Sequence, residues 1–387
     1  MRVVLVMPYA SSPSWGVQNV AYNLVRGFIK LCRELERADI KITILSNAGS
    51  SLKPQKELFL ECSQLSIMYY KQIPPVTFLG DVQNMLLSKK YFYPVLSSSD
   101  VVHSHEPLFS LGVANIFRHL NVIHNFHGLP WNEKRHTNSS YLRFSYDTIT
   151  LRAQKLAKLS NTKFVAISNF VRREIQRTLG ISDNKIFTIP DPISDEFFKI
   201  TKKEDAGLIF YPARLIPRKN HIPLLEALGI LRNDGFSEFR LALTGIIEDR
   251  DYFNKMMRTI HKYSLHKNVV FLGKIPKEKL FECYSKASVV VLTSMEESFS
   301  LAVGEAMATG TPVIASPVGI VPEAVSNGKN GYIINPGDPK VIAEKLRLVL
   351  EDDKKRKVMG KRARKTAEKW RSENIAKKLL RLWKGII

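Results

Sequence analysis

Residues 289–316 read VVVLTSMEESFSLAVGEAMATGTPVIAS. Two apolar, β-branched runs, 289–292 and 312–315, have the character of strands buried on both faces of a parallel sheet. The chain between them predicts a short helix whose first turn lies near Ser298 to Ser300, residues able to cap backbone N–H groups, and which stops at Gly310, suited to a left-handed C-terminal position. Two carboxylates, Glu297 in the loop after the first strand and Glu305 inside the helix, stand eight residues apart. Open parallel sheets bind ligands outside the carboxyl ends of their strands, where helix N-termini favour anions. A diphosphate could sit on the amides of residues 298–301, with one carboxylate reaching hydroxyls on each side. Eight residues of partly helical chain span up to about 12 Å, the scale of a nucleotide sugar from hexose to ribose. An isolated pair of glutamates would read instead as a loop charge and a solvated helix face.

The ordered run Glu297, Ser298, Phe299, Ser300, Leu301, Glu305, Ala306, Met307, Gly310, Thr311, Pro312 resembles the donor-site motif of the retaining glycosyltransferases of family 4. Serine occupies 298 and 300, where glycine is common in that family. The resemblance implies that Glu297 holds donor-sugar hydroxyls, that Glu305 holds the ribose, and that Ser298, Phe299, Ser300 and Leu301 bind the nucleotide sugar.

At 387 residues the chain is long enough for two domains, each with its own core. A 44% hydrophobic, 24% charged composition is that of a globular protein. No apolar run approaches the roughly 18 residues needed to cross a bilayer, and the opening seven residues read as a strand rather than a leader. Cys32, Cys62 and Cys283 lack metal-ligand spacing and suggest inert thiols in a reducing, cytoplasmic compartment. The net charge of +22 favours anionic partners. Residues 354–384 hold 14 Lys or Arg and two acids, a basic tail that would attract lipid head groups and polyphosphates alike and in part serves solubility; docking on an anionic membrane surface, at the inner face of the cell membrane, is the expectation it motivates.

The first half opens with the strand 2–7, a Pro- and Ser-rich loop, and an amphipathic helix from Gly16. In the family this loop carries two glycines between acceptor and diphosphate; Trp15 replaces the first and Gly16 keeps the second. A strand follows at 40–45, and residues 50–75 read as irregular, with Lys53, Lys56 and Lys71 on the surface. His103 and His105 share one strand face without a third ligand, so they read as core histidines and no metal is assigned. His127 ends the strand 121–126 and corresponds to the family's strand-end histidine near the transferring sugar. Trp131, Lys134 and Arg135 form a loop suited to the acceptor.

Pro190, Asp191 and Pro192 break the periodicity and mark a hinge. The second half restarts with a strand at 208–211 and then PARLIPRKN, in which Arg214 and Lys219 match the family's Arg-x4-Lys pair for the diphosphate. Fixed cations and amides can neutralise a leaving diphosphate without a metal. Asp249-Arg250-Asp251 opens a helix, where acids are favoured. Residues 269–277 resemble the loop around the nucleotide base, with Ile275 as its apolar contact.

The doubled strand-helix alternation predicts an α/β protein. The resemblance implies the GT-B fold: two Rossmann-like domains facing across a cleft, 1–192 on the acceptor side and 193–365 on the nucleotide-sugar side, with helix 366–387 crossing back to the N-domain. The implied activity is hexosyl transfer from a nucleotide sugar, with retention and no metal or other cofactor, to a glycan, lipid-linked glycan or phospholipid hydroxyl; phosphoinositide-mannosylating members are loosely similar. A nucleotide-sugar epimerase of the same fold and a basic nucleic-acid-binding protein are the rival readings. The chain lacks the aromatic and zinc motifs of nucleic-acid binders, so no nucleic acid is expected.

Overall fold

The structure, a computed structural model, describes residues 1–10, 16–46, 55–58, 61–69, 92–136 and 139–387. Trp15, Lys53 and Lys71 lie outside the described residues, and of Lys56 only the backbone is described. The chain divides into two units, Met1–Pro192 with Arg371–Ile387, and Ile193–Trp370.

The first unit is built on an eight-stranded sheet. Its strands are β1 (Arg2–Val6), β2 (Lys41–Ser46), β3 (Gln55–Leu58), β4 (Leu65–Tyr69), β5 (Val101–Ser104), β6 (Asn121–Phe126), β7 (Thr162–Ala166) and β8 (Ile186–Thr188). They lie in the order β3-β4-β2-β1-β5-β6-β7-β8. All pairings are parallel except that of β3 with β4. The segment 50–75, expected to be irregular, thus contributes two strands: Leu65 and Ile67 are buried against Ile42 and Ile44 of β2. The cysteines also depart from expectation, because Cys32 and Cys62 form a disulfide and only Cys283 is a free, buried thiol. It ties the helix Cys32–Arg37 to the turn before β4.

The second unit carries β9 (Leu208–Pro212), β10 (Arg240–Thr244), β11 (Val269–Gly273), β12 (Val289–Leu292), β13 (Val313–Ala315) and β14 (Gly331–Ile333). These make a six-stranded sheet in the order β11-β10-β9-β12-β13-β14, parallel throughout. Every residue of β12 is buried, as its unbroken apolar run requires of a strand covered on both faces. Helix starts are set locally: the Asp249 carboxylate accepts from the Tyr252 amide at 2.8 Å, and Ser168 from Val171 at 3.2 Å. Asp249 is therefore a cap, the role its position at a helix start suggests.

The last basic segment breaks into the helices Asp353–Ala367 and Ser372–Lys384 around a tight turn, Glu368–Trp370. The second unit ends at Trp370 rather than at 365, since the Trp370 ring is buried edge-on against Phe299. The helix Ser372–Lys384 belongs to the first unit. Its Trp383 stacks on Phe28 and donates to His103 Nδ1 at 3.2 Å. Gly27 permits this approach, because a Cβ there would come within 2.3 Å of the Ser372 carbonyl oxygen.

Candidate functional site

Among the parallel strands, the order reverses direction between β9 and β12 in the second unit and between β1 and β5 in the first. Chains leave such a pair of strands in opposite directions, opening a crevice at their carboxyl ends.

In the second unit that crevice receives the turn after β9 and the loop after β12. The Lys219 ammonium contacts Glu297 Oε1, and Arg218 Nη1 stands 3.8 Å from Glu297 Oε2 while donating to the Glu296 carbonyl at 2.8 Å. Both members of the Lys219–Glu297 pair are largely buried. Burial pushes the Lys219 amine down, opposed by the charge of Glu297. Burial pushes the Glu297 carboxyl up, but Lys219 and Arg218 outweigh it and hold it below the usual range. The buried Tyr211 hydroxyl donates to the Lys219 carbonyl and accepts from the Thr293 amide at 3.1 Å, and Thr293 Oγ1 donates to the Asn220 carbonyl at 2.6 Å. This fixes the turn Pro217–Lys219 to the end of β12.

Arg214 does not join this pair. Its guanidinium, half exposed, donates to both Glu248 oxygens at 2.9 and 3.1 Å. The two loops are held together by the Leu215 amide on the Ile246 carbonyl at 3.0 Å, and Gly245, at φ 110°, lies where a Cβ would meet the Ala213 carbonyl oxygen at 2.3 Å. Arg218 and Glu248 are the members of this cluster that the sequence did not single out. Arg218 adjoins an expected site residue, the one signal available; Glu248 becomes visible only through the pairing of β9 with β10.

Ser300 starts the helix Leu301–Ala308, but not through its hydroxyl. It makes no side-chain capping bond; its backbone is left-handed, at φ 78°, a conformation glycine adopts without strain. The capping role expected of Ser300 is thus replaced by a backbone one. The Phe299 ring is buried on Trp370, so that residue offers backbone, not side chain, to a ligand. Ser298 and Leu301 are half-buried beside it. One turn further, Glu305 Oε2 accepts from the Tyr284 hydroxyl at 2.7 Å. Burial pushes the Glu305 carboxyl up to about 7, against the opposing effect of that hydrogen bond. Ile275 is half-buried in the loop after Gly273, at the end of β11.

In the first unit, His127 follows β6. Its Nδ1 lies 3.1 Å from Asp191, and its Nε2 lies 2.5 Å from His105 Nδ1 and 3.1 Å from Asn125 Nδ2. The first unit's main run ends at Pro192, where the prolines mark the break, and Asp191 beside it is also a buried partner of this imidazole. The His103 and His105 rings stack 5.2 Å apart, and His105 on His127 at 4.7 Å. Burial drives His103 down to about 3 and His105 well below the usual histidine range, so both are neutral. Among the described residues no group of three or more His, Cys, Asp or Glu side chains is arranged to hold a metal ion.

Pro8, Val17, His105, His127, Leu129 and Tyr146 are among the residues lining a cavity of about 410 Å³ at the reversal between β1 and β5. Gly16 begins the helix Gly16–Lys30, and among the described residues a Cβ there would meet nothing within 4 Å. Trp131 lies in the helix Pro130–Glu133 rather than a loop and packs on Phe126; Lys134 pairs with Asp147 at 2.6 Å. His127 and Gly16 belong to the first unit, and Arg214, Lys219, Ile275, Glu297 and Glu305 to the second.

Two doubly wound parallel sheets, the second with an ion pair at its reversal point, define an α/β protein of the GT-B class. Residues 16–197 match the family described as Glycosyltransferase Family 4, and residues 192–366 match Glycosyl transferases group 1. The chain belongs to this family of glycosyltransferases. It is 40% identical over 118 residues to a D-inositol 3-phosphate glycosyltransferase of Corynebacterium urealyticum, a match covering 30% of this chain and 28% of that relative. An uncharacterised glycosyltransferase of Methanocaldococcus jannaschii is 26% identical over 302 residues, 74% of this chain and 75% of its own length. Among solved structures, sucrose-phosphate synthase from Thermosynechococcus elongatus superposes with a TM-score of 0.75 at 19% identity, covering 100% of this chain and 98% of that one.

Proposed function

We propose that this protein transfers a hexosyl group from a nucleoside-diphosphate sugar to an acceptor hydroxyl, with retention of anomeric configuration and without a metal or other cofactor. The observation that carries the reading is the largely buried Lys219–Glu297 salt bridge beside Arg218 at the reversal point of the second sheet. A departing diphosphate needs positive charge that is fixed before the bond breaks, because charge already in position costs no reorganisation as the leaving group develops. Lys219, Arg218 and Arg214, with the amides before the helix Leu301–Ala308, supply it. Glu297 then accepts from sugar hydroxyls, Glu305 from the ribose, and Ile275 meets the base. His127, held by Asp191, offers a hydrogen-bonding imidazole to a sugar hydroxyl at the cavity of the first unit. Glu297 is engaged by two cations and suits hydrogen bonding better than covalent attack. Transfer therefore proceeds by same-face attack assisted by the leaving phosphate. The acceptor is a lipid-linked glycan or phospholipid at a cytoplasmic membrane face.

The test is release of nucleoside diphosphate from a panel of donor sugars, run in EDTA. Turnover is expected with the wild type and is lost in Glu297→Ala and Arg214→Ala; variants as active as wild type, or no binding of any donor, reject the assignment. Glu248 supplies a further expectation. It occupies the Arg214 guanidinium that the diphosphate needs, so Glu248→Gln tightens nucleoside-diphosphate binding about two- to fivefold, the worth of one exposed ion pair. Titration calorimetry reads this directly, and weaker binding would mean that Glu248 itself touches the ligand.

A further inference from the structure

We propose that the outward face of the helix Ser140–Ala157 docks this protein on an anionic bilayer, beside the cavity of the first unit. The inference rests on the glycosyl-transfer reading only for its purpose, access to a lipid-linked acceptor; the surface itself is argued from the helix.

That helix has two apolar faces. One is internal: Ala153 and Leu156 are buried, and Tyr146 and Ile149 wall the 410 Å³ cavity. The other faces solvent. Tyr141, Phe144 and Leu151 are 60%, 62% and 58% exposed. Spacings of three and seven residues put Tyr141, Phe144 and Leu151 on one stripe. Thr148 lies between them, and its hydroxyl is satisfied by the Phe144 carbonyl at 2.8 Å, so no unpaired hydroxyl interrupts the stripe. Single exposed apolar residues need no explanation, but a contiguous row on one helix marks a contact surface.

Charge selects the occupant. Arg143, Lys155 and Lys158 are exposed along the same helix and its end. Its one acid, Asp147, is neutralised by Lys134, whose ammonium lies 2.6 and 2.7 Å from the two carboxylate oxygens. Aromatic and aliphatic side chains flanked by lysine and arginine are the composition of a helix lying in the headgroup layer of an anionic bilayer. A nucleic acid would use the cations but has no partner for Leu151. The basic helix Asp353–Ala367 of the second unit is less suited, since among its described residues Val358 is the one exposed large apolar side chain. Because the inner face of the docking helix walls the cavity, an acceptor whose tail stays in the bilayer would reach that cavity along the helix.

The experiment uses the full chain, sedimented with vesicles of phosphatidylcholine alone or with about a third phosphatidylglycerol. Wild type is expected in the pellet with the anionic vesicles only. The paired surface substitution Phe144→Glu and Leu151→Glu is expected to lower the partition coefficient ~tenfold or more, and Lys155→Glu with Lys158→Glu to lower it in proportion to the anionic fraction. Circular dichroism and binding of nucleoside diphosphate in solution should match wild type for both variants. Equal pelleting of the apolar-face variant and wild type overturns the proposal. So does a dimer in solution that Phe144→Glu with Leu151→Glu dissociates while vesicle binding persists, since the face would then join two copies. If no donor sugar binds yet vesicle partition behaves as stated, the docking face stands and the glycosyl-transfer reading falls.

Discussion

Replacing Lys219 with alanine is expected to lower kcat/KM for glycosyl transfer by roughly 10²–10³, about 3–4 kcal/mol of transition-state stabilisation, the range found when one preorganised donor to a developing anion is removed. The size follows from where the ammonium sits. It is largely buried, its backbone is held by Tyr211 and the neighbouring Thr293–Asn220 bond ties its turn to the end of β12, and so it meets the leaving diphosphate without first being ordered. The same substitution strands Glu297. A buried carboxylate deprived of its counter-ion costs about 3–5 kcal/mol when one partner of a pair is removed, and much less when both go. Arg218, 3.8 Å away, compensates in part, so about 3 kcal/mol is expected from urea unfolding of the single variant. Lys219→Ala with Glu297→Ala should be more stable than Lys219→Ala alone, yet no more active, because the two residues serve one event and their losses do not add. A Lys219→Ala enzyme within threefold of wild type in kcat/KM would remove this lysine from the mechanism. An additive loss in the double variant would show that the residues act separately.

The parts of the molecule that were legible before any coordinates share a physical property: their signal is local. The β12 strand is an unbroken apolar run, the Gly310 stop and the Asp249 cap follow from backbone and side-chain chemistry within one turn, and the motif around Glu297 lies in one continuous stretch. What escaped depends on chain segments far apart in sequence. Asp191 reads as a hinge because prolines flank it, and only the alignment of β6 with the end of β8 brings it to His127. Glu248 meets Arg214 because β10 pairs with β9. Cys32 and Cys62 are separated by 30 residues, and spacing alone does not reveal whether two such thiols meet. The helix Ser140–Ala157 is obscured for a different reason. Apolar residues on both its cavity face and its solvent face blur the 3.6-residue period by which an amphipathic helix is recognised. Serine at 300 was visible as a departure from glycine, but its consequence, a non-glycine residue at φ 78°, needs the backbone to be seen.

Glu305 sets stability against binding, and pH separates the two. Burial raises its folded-state pKa from 4.5 to about 7, with the Tyr284 hydroxyl opposing the rise. A carboxyl with a raised folded pKa binds its proton more tightly in the native than in the unfolded state, so between pH 4.5 and about 7 the native state holds more protons and stability falls as pH rises. Below that window the group costs nothing; above it the full penalty of an ionised, buried carboxylate is present. The residue keeps a little solvent contact, so the penalty is on the order of 2 kcal/mol rather than the whole of the shift. Glu305→Gln removes the titration and keeps an oxygen to accept from Tyr284. The variant is therefore expected to match wild type in urea unfolding at pH 4.5 and to exceed it by about 2 kcal/mol at pH 8. Binding should move the other way. A glutamine oxygen is a weaker acceptor for a ribose hydroxyl than a carboxylate, and affinity for nucleoside diphosphate at pH 8 should fall about tenfold, one charge-assisted hydrogen bond. Wild-type affinity should rise between pH 6 and 8 as Glu305 ionises, while that of Glu305→Gln stays flat. A stability difference independent of pH would mean that this carboxyl does not titrate in the window, and an unchanged affinity would remove it from the nucleotide site.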